Sequence, residues 1–251
     1  MILHGQTNGF MKYSGFKNEK HFDRFSFYNG DCMELLKQTP DNYYSLALVD
    51  PPYGIGEANG KNANRNKGFG IGNKKSKKIT FSKDYGKKDW DNEKPKAEYF
   101  LELKRISKNQ IIFGANHFID NIQNANSSCW IVWDKDNGES DFADCELAWT
   151  SFKTAVRMKK VRWNGLLQYD MKNKEERIHP TQKPILLYDW IVSKYAKPEF
   201  KIIDTHLGSA NIAHAIDKAN KLDNMNLEFV GIELDAEYFN AAVNRFRMAH
   251  A

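Results

Sequence analysis

The sequence predicts an α/β fold, with a mostly parallel sheet covered by helices on both faces. Three observations carry that expectation. Apolar runs at residues 46–49, 110–113, 200–203 and 227–232 read as buried strands, each ending at an acid or a glycine. Stretches with helical spacing alternate with the later runs, as in parallel sheets built from β-α-β units. The chain has 251 residues, enough for one such domain with a sizeable core.

The elements follow in order. The first two dozen residues are polar and dotted with glycine, and predict a loose arm. Residues 25–28 predict a short strand, followed by Asn29-Gly30-Asp31 and one or two helical turns over 33–37. Residues 44–49 predict the strand that ends at Asp50. Residues 54–92 then change character: positions 61–88 hold ten Lys or Arg and one acid, Asp84. So few apolar residues cannot build a core, and the segment predicts a long, mobile, basic loop. A helix is expected from Lys96, with Pro95 in its first turn. Strands are expected at 110–113, 129–133 and 147–152, and residues 153–178 are again basic and polar. Pro184 opens a helix. A strand, a turn, a helix over 210–219, a strand and a closing helix over 236–246 complete the chain, which shows no internal repeat.

Composition narrows the function. An apolar fraction of 41% with 13% aromatic residues suits a globular core, and 27% charged residues excludes wholesale disorder. Net charge is +5, a mild pointer to an anionic partner. The cysteines Cys32, Cys129 and Cys145 are far apart and form no C-x-x-C pair, so neither a zinc site nor a disulfide framework is indicated. The opening M-I-L-H-G-Q-T-N-G-F lacks the apolar core of a signal peptide, and no stretch suits a membrane span. A soluble, cytoplasmic protein without a metal is expected.

Two strand ends carry chemistry. The first is Asp50-Pro51-Pro52-Tyr53, where two consecutive prolines end the strand's hydrogen bonding. The second is I-I-D-T-H-L-G-S-A-N, residues 202–211. A strand ends in Asp204, a tight turn with Gly208 and Ser209 opens a helix, and the next strand ends in Glu233. That is the organisation of a nucleoside-binding β-α-β unit, in which glycine admits the ligand to the backbone and the later acid takes ribose hydroxyls. Neither G-x-G-x-x-G nor G-x-x-x-x-G-K-[ST] is present, so a nucleoside without a diphosphate fits better. A plain strand-turn-helix could carry the same glycine.

Together, D-P-P-Y, I-H-P-T-Q-K-P (178–184), D-T-H-L-G-S-A-N (204–211) and F-V-G-I-E-L-D-x-E-Y-F (229–239) resemble the DNA amino-methyltransferases dependent on S-adenosylmethionine. The motif order resembles their β class. The resemblance covers most of the chain from about residue 25. It implies a single Rossmann-like class I methyltransferase domain over 1–251, with a mostly parallel seven-stranded sheet, circularly permuted so that the catalytic motif precedes the cofactor motif. One departure stands out. Where the family usually reads D-P-F-x-G-S-G-T, this chain has His206, Ala210 and Asn211. Ala210 is expected to sit at the helix start with right-handed helical dihedrals, and His206 to lay a flat ring against the cofactor.

The resemblance also implies roles. The Asp50 carboxylate and the Pro51 carbonyl would accept the two N–H bonds of an exocyclic amine. The lone pair of that amine is delocalised into the base ring until the nitrogen becomes tetrahedral. Pro51 and Pro52 preorganise those acceptors, and Tyr53 offers a face to a flipped base. Glu233 would hold the ribose and Asp31 would sit near the cofactor's adenine. Gly208, Ser209, Asp204 and Thr181 would serve the methionine part, with Lys183 on its carboxylate. D-P-P-Y points to adenine N6; a cytosine-N4 or RNA amino-methyltransferase, or a decayed DNA-binding relative, are the alternatives. Double-stranded DNA is the expected partner. Lys74, Lys75, Lys77, Lys78 and Lys83 of the 54–92 loop, and Arg157 and Arg162 of the 153–178 candidate target-recognition segment, are expected to contact it. The family setting, bacterial or phage, also admits a homodimer and a cognate restriction endonuclease.

Overall fold

The structure is a computed structural model and describes residues 11–55, 93–138, 143–164 and 167–250. Its strands are β1 (Asn18–Phe22), β2 (Phe25–Asn29), β3 (Leu46–Val49), β4 (Gln110–Phe113), β5 (Trp130–Asp134), β6 (Cys145–Thr150), β7 (Arg157–Lys160), β8 (Trp163–Asn164), β9 (Leu167–Gln168), β10 (Lys201–Asp204) and β11 (Glu228–Glu233). The helices are α1 (Cys32–Gln38), α2 (Ala97–Ile106), α3 (Ile185–Tyr195), α4 (Asn211–Asp223) and α5 (Ala236–His250).

Among the described residues nine strands form one sheet in the order β1-β2-β11-β10-β3-β4-β6-β5-β7, and β8 and β9 form a separate hairpin. From β2 to β4 all neighbours run parallel. Strand β6 is antiparallel to both β4 and β5. The sheet thus holds two strands more than the seven expected, and both lie at its edges. Strand β1, N-E-K-H-F, falls inside the segment expected to be a loose arm; it pairs antiparallel with β2 from Asn18↔Asn29 to Phe22↔Phe25. Strand β7, R-M-K-K, falls inside the polar segment 153–178 and pairs parallel with β5. Neither has the apolar run of a central strand, and charged residues suit an edge.

The central strands bury both faces by simple alternation. Leu46 and Leu48 of β3 pack into one apolar cluster with Leu187, Ile191, Ile212, Ile216 and Phe239 from α3, α4 and α5. Ala47 and Val49 face the opposite cluster, with Leu35, Leu36, Tyr99, Phe100 and Leu103 from α1 and α2. Ile202 and Ile203 of β10 divide between the clusters in the same way. Burying each large apolar side chain contributes about 1.5–3 kcal/mol, so this two-sided pattern sets register strongly.

Strand β10 lies between β11 and β3. From β10 the chain passes through α4 to β11 on one side; from β3 it passes through α2 to β4 on the other. The sheet's winding therefore reverses between β10 and β3. In open parallel sheets the crevice beyond the strand C-termini at that point is where ligands bind. Asp50 directly follows β3, and Asp204 ends β10.

Both prolines expected at helix starts stand outside. Pro184 is the N-cap of α3 and Lys96 that of α2, which puts Pro95 one residue further out. Ala210 departs from expectation more sharply. It caps α4 in the left-handed region, with φ +60°, rather than joining the helix. It is fully buried, and its amide donates to Leu207 O at 2.8 Å while its carbonyl accepts from His214 N–H at 3.0 Å. The closed turn holds alanine in a conformation that costs it about 1–2 kcal/mol.

Candidate active site

The Asp50-Pro51-Pro52-Tyr53 stretch is held at the end of β3 by its side chains. The Tyr53 hydroxyl lies 3.0 Å from Asp50 Oδ1 and 3.2 Å from Glu146 Oε2, within donating reach of both. The Tyr53 ring stacks on His117 at 4.9 Å and 17° between planes. It also lies over Gly114, where a Cβ would come within 2.0 Å of the ring. Gly114 has φ +65°, so glycine is required there both for backbone conformation and for the close approach. Asn116 lies in the same short turn, on the exposed side.

Lys183 was expected at a cofactor carboxylate. In the structure its ammonium lies on Asp50. Its side chain is only 3% exposed, and its ammonium donates to Asp50 Oδ2, to Tyr53 Oη at 3.1 Å, and pairs with Glu146 Oε2 at 3.2 Å. Three N–H bonds meet three acceptors. Glu146 holds a second cation, Lys135, at 2.5 Å. Phe113 closes the ammonium from another side, its ring centroid 4.9 Å away.

The charges sort themselves accordingly. Burial alone would raise Glu146, but Lys183 and Lys135 outweigh it and pull the carboxyl down to about 2. Asp50 is raised above the usual range by burial and by the neighbouring Glu146, with Lys183 opposing. Lys183 is desolvated, which lowers it, yet the two carboxylates carry it above its ordinary value. Of the two acids, Glu146 is the fixed charge and Asp50 the better base.

Across the reversal of the sheet lies the second constellation. The Asp204 carboxylate accepts the His206 amide at 3.0 Å. Gly208, with φ +51°, donates its amide to Glu233 Oε2 at 2.9 Å, and Glu233 Oε1 accepts from Asp235 N–H at 2.9 Å. Glu233 is thus fixed beside the glycine turn. Asp31 comes to the same place because β2 and β11 run in register, Asn29 opposite Glu233. The Asn29 amide and the Gly30 N–H both bond the Glu233 carbonyl, at 2.8 and 3.0 Å. Asp31 caps α1, accepting from Met33 N–H at 2.8 Å.

The I-H-P-T-Q-K-P segment connects the two constellations. His179 packs near Gly208 and meets the Tyr238 ring at 4.4 Å, edge to face. The Thr181 hydroxyl lies 3.2 Å from His179 Nδ1. Asn211, in α4, donates to the Lys183 carbonyl at 2.6 Å. Arg245 binds the far side of the turn through Ser209 O at 2.8 Å and through Asn211 Oδ1. His206 is not a free ring. Its Nδ1 lies 2.9 Å from Thr205 Oγ1, which lies 2.6 Å from the Tyr99 hydroxyl of α2.

Burial raises Asp204 to about 8 and Glu233 to about 7, despite the amides that each accepts. Among the described residues neither acid has a salt bridge of its own, so the crevice favours a cationic ligand.

The residues expected on nucleic acid divide. Lys74, Lys75, Lys77, Lys78 and Lys83 lie outside the described residues. Arg157 is exposed on the edge strand β7. Arg162 bonds Asp136 through Nε at 3.0 Å and Nη2 at 2.7 Å, and Lys160 pairs with the same carboxylate at 3.0 Å. Part of this basic segment is therefore already neutralised. Glu146 and Lys135 were not singled out in the sequence. Glu146 sits at the head of an apolar strand, C-E-L-A-W-T, and an acid on such a strand was the available signal.

A doubly wound sheet with an acidic glycine turn beside an Asp-Pro-Pro-Tyr strand end is the arrangement of a class I methyltransferase. The comparisons agree. Residues 132–244 match the N6/N4 methylase family, described as DNA methylase. The type II methyltransferase M.HinfI of Haemophilus influenzae is 26% identical over 266 residues, covering 87% of this chain and 67% of the relative. Among solved structures, the M1.HpyAVI–SAM complex aligns with a TM-score of 0.51 at 22% identity, over 88% of this chain and 99% of that one. The cytosine-N4-specific PvuII DNA methyltransferase aligns at 0.56 and 14% identity, over 92% and 90%. At these identities the two structures speak to the fold. The chain is similar to the N6/N4 DNA methylases in sequence and in fold. No described helix is long and apolar enough to cross a membrane, and no described acids, histidines and cysteines cluster as metal ligands.

Proposed function

We propose that this protein transfers a methyl group from S-adenosylmethionine to the N6 amine of adenine in double-stranded DNA. The observation that carries the reading is the pairing of two strand ends at one reversal of the sheet: Asp50-Pro51-Pro52-Tyr53 after β3, and Asp204 through Gly208 after β10. Glu233 suits a ribose diol, and Asp31 stands beside it at the adenine end. Gly208 and Ser209 present backbone to the methionine part, with Asp204 and Thr181 nearby. Two acids raised by burial fit a ligand that brings positive charge. The cofactor supplies a methyl group on a sulfonium, already a strong electrophile.

The chain's own residues do the rest. The Asp50 carboxylate and the Pro51 carbonyl accept the two N–H bonds of the target amine and favour its tetrahedral form. The prolines hold both acceptors, so little motion is left to freeze. Tyr53, already ordered against His117, offers its remaining surface to a base turned out of the duplex. Arg157 and the 54–92 lysines would meet phosphates, and the 153–178 segment would help choose the site. The catalytic strand precedes the cofactor strand in the chain, as the permuted β class requires. A homodimer, a restriction partner and a cytoplasmic place belong to the same reading.

A cytosine-N4 target is the second reading, because the matching family spans both amines. Incubation with unmethylated DNA and S-adenosylmethionine, then digestion to nucleosides and mass spectrometry, tests both. N6-methyladenine is expected. N4-methylcytosine alone would move the target to cytosine, and no methylated base would overturn the reading.

A further inference from the structure

Resting on the methyl-transfer reading, we propose that Glu146 and Lys183 are positioning residues that set the basicity of Asp50, with Glu146 acting on Asp50 through the shared ammonium of Lys183. Three features of the structure carry this. The Lys183 ammonium is almost wholly buried and divides itself between the two carboxylates and Tyr53. Glu146 is anchored separately by Lys135 at 2.5 Å, so it does not follow Asp50. The Tyr53 hydroxyl stands within reach of both acids, at 3.0 and 3.2 Å, and can follow the proton.

The reaction gives this arrangement something to do. When the nitrogen forms its bond to the methyl carbon, the carbon–sulfur bond breaks and sulfur keeps the electron pair. The nitrogen then carries a surplus proton. Asp50 is the acceptor in reach, and it later gives that proton to solvent. An Asp50 paired alone with Lys183 would be a poor base, because an undivided ammonium favours its ionised form. Glu146 takes a share of that ammonium and adds its own negative charge. Both effects raise the proton affinity of Asp50. Without Lys183, two buried carboxylates would face each other and Asp50 would hold its proton too tightly.

The groups that surround Asp50 come from several elements. Lys183 lies just before α3, Glu146 on β6 and Tyr53 on the same loop as Asp50. Tyr188 of α3, Asp204 of β10 and Tyr99 of α2 also lie within electrostatic range of Asp50. Among the described residues, the charged group that bonds Asp50 is Lys183, and Glu146 bonds that same ammonium. Lys183 is tied to the cofactor turn as well, through Asn211 and its own carbonyl.

The test uses the whole protein, DNA and S-adenosylmethionine, and reads single-turnover methyl transfer against pH. Glu146→Gln is expected to move the acid limb of the profile down by about one pH unit, with at least a tenfold slower plateau. Lys183→Gln is expected to move the limb up. Glu146→Asp should restore most of the profile. The cofactor Kd, measured by calorimetry, should change by less than about threefold in Glu146→Gln. A readout apart from activity is the 13C carboxyl titration of Asp50 in ligand-free protein, assigned by its loss in Asp50→Asn; it should move in the same two directions. Should Lys183→Gln fail to fold, Glu146→Gln and that titration still decide. Shifts in one common direction, or a lower plateau with an unmoved limb and titration, would overturn the proposal. A wild-type protein that methylates nothing would instead overturn the function.

Discussion

The two halves of the crevice handle charge in opposite ways. Around Asp50, two carboxylates meet two lysines and a tyrosine, and each charge has a partner within the protein. Around Gly208, Asp204 and Glu233 are held, among the described residues, by backbone amides. The first group is complete before anything binds; the second gains from a cation. On the proposed reading the first group acts on a neutral amine, and such a site keeps its charges fixed and its geometry set in advance. On the same reading the second group holds a sulfonium, and such a site can leave acids waiting, at the cost of raised proton affinity.

The comparison breaks most directly at the two acids themselves. Asp50→Ala is expected to cut turnover by about a thousandfold or more while cofactor Kd changes little, because on the proposed reading it removes an acceptor used in the transition state. Glu233→Gln is expected to do the reverse. Cofactor Kd should rise by roughly 10–100-fold, the worth of a hydrogen bond to a charged group, with turnover at saturating cofactor largely kept. Rate measurements with calorimetry check both. Parallel loss of rate and affinity in both variants would show that the halves act as one unit.

A smaller but sharper effect is expected at Gly114, which belongs to the first half only. A methyl group there would overlap the Tyr53 ring, and φ +65° disfavours any side chain. Gly114→Ala should cost about 1–2 kcal/mol for backbone conformation and a further 1–3 kcal/mol for overlap. Methyl transfer should fall through displaced Tyr53, and cofactor binding should survive. Thermal unfolding, calorimetry and the rate together check this; unchanged turnover would mean that the stack of Tyr53 on His117 has no part in catalysis.

The sequence revealed the two halves unequally. Asp204, Gly208 and Glu233 lie within 30 residues and follow a local grammar of strand, turn and helix, so their meeting is legible from spacing. Asp50 is legible because consecutive prolines mark it. Its partners are not. Lys183 lies 133 residues away in the chain, and Glu146 reaches it only because β6 pairs antiparallel with β4. A polar segment such as β1 or β7 becomes a strand because a neighbour supplies the hydrogen bonds, which no single-segment pattern records. The left-handed Ala210 has the same cause: closure of the turn overrides the residue's own preference.

The pH response should set Asp204 and Glu233 apart from Glu146 without any mutation. Asp204 and Glu233 have folded values of about 8 and 7, raised above the ordinary carboxylate range. The folded, ligand-free protein therefore binds more protons than the unfolded chain between about pH 4 and 8. Their contribution to stability is full below about pH 4 and declines as pH rises through 8. Glu146, near 2, has the opposite sign: its contribution is present above the ordinary carboxylate range and is lost as pH falls toward 2. Below about pH 6.5 the depressed His179, His206 and His214 act against this slope; between about pH 6.5 and 8 Asp204 and Glu233, with Asp50 in the same direction, should set it. The Tm of the ligand-free protein should fall by roughly 2–4 °C per kcal/mol lost over that interval, and S-adenosylmethionine should reverse the fall. Binding near pH 7 should release about one proton and tighten as pH rises, since a cation favours the ionised acids. Calorimetry in two buffers of different ionisation enthalpy counts those protons. A count of zero would place the ligand's positive charge away from both acids and remove the contrast between the two halves.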